Sequence, residues 1–256
     1  MKKTLIVSNG VALVATVVMN YLSNAGVFNG NTMKTISDKY FNYFTPAGYA
    51  FSIWGLIYLG LFGFAFYTGR SLFKKGAVKD SFLSKIGWWF VISCVANSAW
   101  VVVWLHDYPG MAALIMSVIF IALVKIILNI NAGIVKFNIK DYLFISLPFT
   151  LYLGWISLAF IANMAAYLTQ INWNGWGISV ITWTIIMICI AGVVNLFMIW
   201  KRNLPAYGLV GIWALLAISV ANLRTGSSLG IVYACYIVAG ILLLAIIARV
   251  FKKFYI

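Results

Sequence analysis

The chain has 256 residues, 64% of them hydrophobic, and only 22 carry a formal charge: 18 Lys or Arg, 4 Asp and no Glu. A water-soluble domain draws roughly a quarter of its residues from the charged types, so a charged fraction of 9% leaves too little polar surface to cover a globule of this size. That excludes a soluble enzyme, a secreted disulfide scaffold and any appended aqueous domain, and the net charge of +14 is scattered between apolar segments rather than gathered into a face that grips nucleic acid.

At about 20 apolar residues per crossing, this composition suffices for about eight membrane helices. The first apolar run extends from Leu5 to Leu22, behind Lys2 and Lys3, and a polar stretch from Ser23 to Phe44 follows it. The later runs are Pro46 to Tyr67, Ile86 to Trp104, Met111 to Ile130, Leu143 to Leu168, Trp176 to Trp200, Ala206 to Asn222 and Leu229 to Phe251. Each is 17 to 26 residues long, and none alternates with the period of a lipid-facing barrel strand. The expected fold is therefore all-α, a polytopic membrane bundle of about eight transmembrane helices. Pro46, Pro109 and Pro205 sit at or just before helix starts, where a missing N–H costs nothing, whereas Pro148 falls inside the fifth span and is expected to kink it. The first run also has the form of a signal peptide with Ser23-Asn24-Ala25 as its small-residue site. Its apolar stretch is long for a signal, and it is taken as a helix.

Charge placement tests this count. With eight spans one side of the membrane holds both termini and carries Lys2, Lys3, Arg70, Lys74, Lys75, Lys79, Lys85, Lys136, Lys140, Lys201, Arg202, Arg249, Lys252 and Lys253. The other side holds only Lys34, Lys39 and Arg224, while Lys125 lies within the fourth span near its cation-rich end. This 14 to 3 split predicts that both termini are cytoplasmic.

Ionisable groups inside a bilayer are the default functional candidates. Asp38, Asp80, Asp107 and Asp141 all fall in loops or at helix ends, and the sole histidine, His106, lies in a short turn beside Asp107. A proton relay loses its raw material, and the His106–Asp107 pair reads as a solvated turn before it reads as a catalytic dyad. Lys125 reads as a snorkelling side chain, and Cys94, Cys189 and Cys235 as small apolar fillers. What the spans do contain is aromatic. Trp88, Trp89, Trp173, Trp176 and Trp200 sit at span ends, as an interfacial belt requires. Trp54, Trp100, Trp155, Trp183 and Trp213 lie deeper and need partners for their indole N–H groups, which Asn97, Asn163, Asn195 and Asn222 are placed to supply. An aromatic ligand cavity and ordinary interhelical packing both account for this pattern.

Three segments resemble the signature of the tryptophan-rich sensory protein family, also called the translocator protein or peripheral benzodiazepine receptor family. In the second helix, Pro46-Ala47-Gly48-Tyr49-Ala50-Phe51 followed by Trp54 and Tyr58 is similar to the family's Pro-Pro-x-Trp-x-Phe…Trp…Tyr, with Ala47 for the second Pro and Tyr49 for the first Trp. The third helix offers Asn97-x-x-Trp100, followed by Pro109-Gly110, and the fifth offers Trp155-x-Ser157-x-Ala159-x-x-x-Asn163. The sterol-recognition pattern expected at the end of the fifth helix is absent, although Leu61, Tyr67 and Arg70 form a similar one after the second.

The resemblance implies a five-helix core over residues 1–170, with residues 171–256 as a three-helix membrane extension. It implies a binding protein rather than an enzyme, with an aromatic intramembrane pocket for a planar hydrophobic ligand: a tetrapyrrole such as protoporphyrin or haem, or a sterol. The ligand-binding residues carried over are Pro46, Tyr49, Phe51, Trp54, Tyr58, Asn97, Trp100, Trp104, Trp155 and Asn163. By the same analogy Ser23 to Phe44 is a lid over the non-cytoplasmic mouth. No cofactor is obligatory and no metal site is expected. The implied partners are membrane lipid and the hydrophobic small molecule, with a homodimer left open and nucleic acid excluded. The alternative is a facilitative transporter of a small hydrophobic solute, since eight spans suit transport better than five.

Overall fold

The structure, a computed structural model, describes residues 2–74 and 80–254. Lys75 and Lys79 of the charge count lie outside the described residues, as do the side chains of Asp80, Lys252 and Lys253. Eight long helices run through it: α1 (Lys2–Leu22), α2 (Ile53–Gly69), α3 (Trp89–Leu105), α4 (Pro109–Asn129), α5 (Leu147–Gln170), α6 (Val180–Trp200), α7 (Pro205–Thr225) and α8 (Leu229–Phe254). No strand occurs among the described residues. Seven helices are long and apolar enough to cross a bilayer, and the shorter α3 has 17 residues, or about 26 Å of rise. The third span starts later than Ile86 because Gly87 takes a left-handed φ of +54°, which ends the short helix Asp80–Ile86 before α3 begins. The chain is thus a multi-pass integral membrane protein whose regular secondary structure, among the described residues, is all helical.

Packing centres on α5, which contacts α2, α4 and α7, while α1 packs on α3 and α2, and α8 closes against α6 and α7. The helices α5 and α7 are the most buried of the bundle. Residues 171–254 pack on the same bundle, with α7 directly against α5. Pro148 disturbs α5 as expected, but at its start. Lacking an N–H for the carbonyl four residues back, it is preceded by a wide π turn at Tyr142–Ser146, in which the Leu147 N–H donates to the Tyr142 carbonyl. The bulge is accommodated because α2 offers glycines there. A methyl group at Gly60 would sit 3.2 Å from Pro148 Cβ, and one at Gly63 would sit 3.1 Å from the Phe144 ring.

Hydrogen bonds gather the cation-bearing segments at one end. Asn129 Nδ2 donates to the Lys85 carbonyl (3.0 Å), Arg202 Nη2 to the Ile127 carbonyl (3.2 Å), Asn203 Nδ2 to the Gly133 carbonyl (3.3 Å) and Arg249 Nε to Asn203 Oδ1 (3.1 Å). Asp141 lies at this end as well, and it is no solvated loop carboxylate. It is 3% exposed, and accepts from the Tyr67 hydroxyl and from Asn138 Nδ2, both at 2.8 Å. Those bonds meet the desolvation cost without a cation. Leu61 and Tyr67 are buried, and Arg70 lies over the Tyr67 ring at 4.4 Å, so the sterol-like pattern after α2 is turned into the protein.

At the opposite end Trp173 and Trp176 of the α5–α6 turn contact each other and Trp183 in the first turn of α6. Trp176 is 79% exposed and Trp88 50%, in keeping with an interfacial belt.

Candidate ligand-binding site

The segment between α1 and α2 folds over the end of the bundle opposite the cation-rich one. A capping box starts its short helix Met33–Lys39: Thr32 Oγ1 accepts from the Thr35 N–H and Thr35 Oγ1 accepts from the Thr32 N–H. Three ties hold this lid down. Lys39 forms an ion pair with Asp107 in the α3–α4 turn, Asn31 Nδ2 donates to the Leu105 carbonyl at 2.9 Å, and Gln170 Nε2 donates to the Tyr40 hydroxyl at 3.3 Å. For Asp107, partial burial works upward, but hydrogen bonds from Lys39 and Tyr40 together with the Lys39 charge outweigh it and hold the carboxyl below its usual range. The hydrogen bond to Asp107 raises Lys39 above its ordinary value. The His106 ring donates from Nδ1 to the Val102 carbonyl at 2.8 Å and caps α3.

The lid's far end is fastened by α7. Asn222 Nδ2 donates to the Tyr43 carbonyl (2.9 Å), the Ala47 N–H to the Ala217 carbonyl (2.9 Å) and Trp213 Nε1 to the Ala50 carbonyl (3.2 Å). These bonds fix the 3-10 turn Gly48–Ser52 that feeds α2.

Beneath the lid lies a cavity. Its cavity volume is about 60 Å³. The walls therefore stand close together, and a guest of the usual ligand-site size requires them to part. Pro46, Phe51 and Trp54 form the α2 side, Trp100 and Trp104 the α3 side, and Trp155 and Asn163 the α5 side. Seven of the ten residues expected at the site thus share one wall. Trp100 stacks along Trp104 at 6.1 Å, Phe51 meets Trp155 edge-on at 6.1 Å, and Trp100 Nε1 donates to Asn163 Oδ1 at 2.9 Å.

The other three stand outside the wall. Tyr49 turns its ring to Trp213 at 5.3 Å on the α7 side. Tyr58 stacks behind Trp54 at 5.3 Å, its hydroxyl sealed and without a partner. Asn97 is fully buried, donates to the Tyr152 hydroxyl (3.1 Å) and accepts from Asn20 Nδ2 (2.7 Å), so it joins α1, α3 and α5. Of the deep tryptophans, only Trp100 finds an asparagine; Trp183 and Trp213 use the carbonyls of Gly175 and Ala50.

Sequence reasoning missed three sets of wall residues. The lid supplies Met33, Ser37, Tyr40, Asn42 and Phe44, α5 supplies Leu158, Ala159, Ala162 and Ala166, and α7 supplies Ala214 and Ile218. The α5 set was readable, because Trp155, Leu158, Ala159, Ala162, Asn163 and Ala166 recur at steps of three and four along one helix face. No comparable signal marks the α7 pair.

A family model described as TSPO-like protein matches residues 5–248. The match takes in all eight helices, so the last three fall within the family's own range. No curated protein and no solved structure matches the chain.

Proposed function

The chain belongs to the TSPO-like protein family, and on that premise we propose that it binds a planar hydrophobic ligand in the aromatic cavity beneath the lid. The observation that carries this reading is the convergence of four tryptophans, Phe51 and Asn163 on one cavity, whose α5 side also carries Ala159, Ala162 and Ala166. Aromatic faces stack on a flat guest, and the few polar groups fix its orientation. The tetrapyrrole and sterol classes implied by the resemblance are the first to try. The role is binding rather than catalysis, since the wall carries no His, Cys, Asp, Glu or Lys. Entry requires the lid to lift, and its latch is an exposed ion pair with two hydrogen bonds, the kind of tie that opens locally.

Facilitated transport is the second reading. The wall residues all lie in the lid-side portion of the bundle, and beyond them Phe64, Phe90 and Phe149 are fully buried in mutual edge contacts at 5.0 to 5.4 Å. Transport would need this plug to part, whereas binding does not.

Titration of tryptophan fluorescence with protoporphyrin IX dimethyl ester tests the reading. Saturable quenching is expected, and it should weaken when Trp100 and Trp155 are both replaced by Phe. Quenching that stays linear, or is indifferent to both replacements, removes the porphyrins from the ligands of this pocket. Orientation belongs to the same proposal: the cation-rich end is cytoplasmic, with both termini there and the lid outside. A cysteine at Asn31 should react with an impermeant thiol reagent in intact cells and one at Ser71 should not, in a background lacking Cys94, Cys189 and Cys235; the reverse pattern inverts the topology.

A further inference from the structure

We propose that the cavity admits its guest only in uncharged form, and that the guest presents hydrogen-bond acceptors: a flat neutral molecule carrying carbonyl, ester or ring-nitrogen groups, with carboxylates turned away. The inference rests on the reading that this cavity is the binding site, and it specifies the ligand class that the site takes.

The first support is the absence of countercharge. No Lys, Arg or His lines the cavity, so a carboxylate drawn inside would give up its hydration without meeting a cation. The mouth offers no substitute. Lys34 is paired with Asp38 and Lys39 with Asp107, while Arg224, at the end of α7, stands outside the wall.

The second support is what the polar groups of the wall have left to give. Asn163 accepts from Trp100 and donates to the Ala159 carbonyl, and Asn42 donates to the Tyr40 carbonyl and accepts from the Phe44 N–H. Each amide thus has one N–H and its oxygen engaged by the protein, the Thr45 hydroxyl accepts from the Asn42 backbone N–H and the Tyr40 hydroxyl from Gln170, and the Ser37 hydroxyl can donate or accept. By contrast, Trp54, Trp104 and Trp155 have no hydrogen-bond partner for their indole N–H among the described residues, and none of these nitrogens is sealed in protein. An indole nitrogen donates and never accepts. The unspent chemistry of the wall is therefore weighted toward neutral donors, and a neutral acceptor answers it.

Two porphyrins that share a macrocycle and differ in charge make the test: protoporphyrin IX and its dimethyl ester, each titrated at pH 8 into the full chain in lipid nanodiscs. Binding to the Ala162→Phe variant, in which the new ring fills the space between the walls, is subtracted as partition into lipid. The diester is expected to bind at least tenfold tighter than the free acid. The acid should gain affinity as pH falls, because only its protonated form enters, while the diester should not change. Equal affinities, or a tighter free acid, overturn the proposal. If neither porphyrin shows cavity-dependent binding, the macrocycle is too large, and methyl 2-naphthoate against 2-naphthoate poses the same question: preference for the ester sustains the charge rule alone, and preference for the anion overturns it. Absence of cavity-dependent binding by all four compounds overturns both this proposal and the binding reading beneath it.

Discussion

The lid-side and cation-rich halves of the bundle are built from the same helices and the same kind of side chain, yet in the one the rings line a cavity and in the other they pack on one another. Helix α2 with its leading turn gives Phe51 and Trp54 to the cavity and Phe64 to the plug; α3 gives Trp100 and Trp104 to the one and Phe90 to the other; α5 gives Trp155 and then Phe149. What differs is the residue that faces the ring. In the plug each phenyl meets another phenyl edge-on, and Gly60 and Gly63 let α2 close onto the start of α5. In the cavity the rings share the lining with Ala159, Ala162, Ala166 and Ala214, side chains too short to fill the space a phenyl would take. Aromatic content alone therefore does not make a binding site; the size of the opposing side chain decides whether a ring packs or waits for a guest.

Truncating the plug breaks this contrast most severely. Phe149 is fully buried between Phe64 and Phe90, and Phe149→Ala should cost about 3–5 kcal/mol, seen as a large drop in the detergent melting temperature. A loss under about 1 kcal/mol would show that the plug relaxes around the gap and is not solid.

Filling the cavity is the complementary change. Ala162→Phe puts a ring where the walls already stand close together, so stability should fall by about 1–3 kcal/mol while ligand affinity falls at least tenfold. A variant that unfolds would mean that the walls are already in contact there; one that binds normally would place the ligand elsewhere.

The smallest effect concerns the latch. Asp107→Asn removes the lid's ion pair, and because both side chains are partly exposed the equilibrium affinity should shift only a fewfold, with faster ligand entry in stopped-flow traces. The pH dependence has a definite sign. The depressed carboxyl of Asp107 contributes above its unfolded pKa, and that contribution is lost as pH falls through the lower folded value. The raised amine of Lys39 contributes below 10.5 and is lost as pH rises through a value above that. Entry rates for a neutral ligand should therefore be flat from pH 5 to pH 9 and increase only in stronger acid or base. A step near neutrality would assign the latch to another group.

Hydropathy and charge placement made the eight helices and their grouping of cations legible, because the bilayer imposes length and loops carry the charge. The rotation of each helix was much less so. In a membrane both the lipid face and the packed face are apolar, and a hydrophobic stripe no longer points to the core. That is why Tyr49 could be placed in the right segment yet face Trp213, and why Asn97 could be recognised as buried while its service to Asn20 and Tyr152 stayed hidden. The α5 face from Trp155 to Ala166 was readable because its small residues break the apolar monotony. Asp141 stands at a helix end, as its place in the sequence indicates, while its burial shows only in the approach of Tyr67 from α2.

The contribution of α7 to the cavity sets an order of events during synthesis. Ala214 and Ile218, and the bonds from Trp213 and Asn222 that fasten the lid, come from α7, which leaves the ribosome after α1 to α6. Until that helix inserts, the cavity lacks a side and its cover is unanchored, however completely α1 to α5 have assembled. A ligand that recognises the finished site cannot rescue a chain stalled earlier in its maturation, and its stabilising effect accrues only to molecules that have already passed the last assembly step.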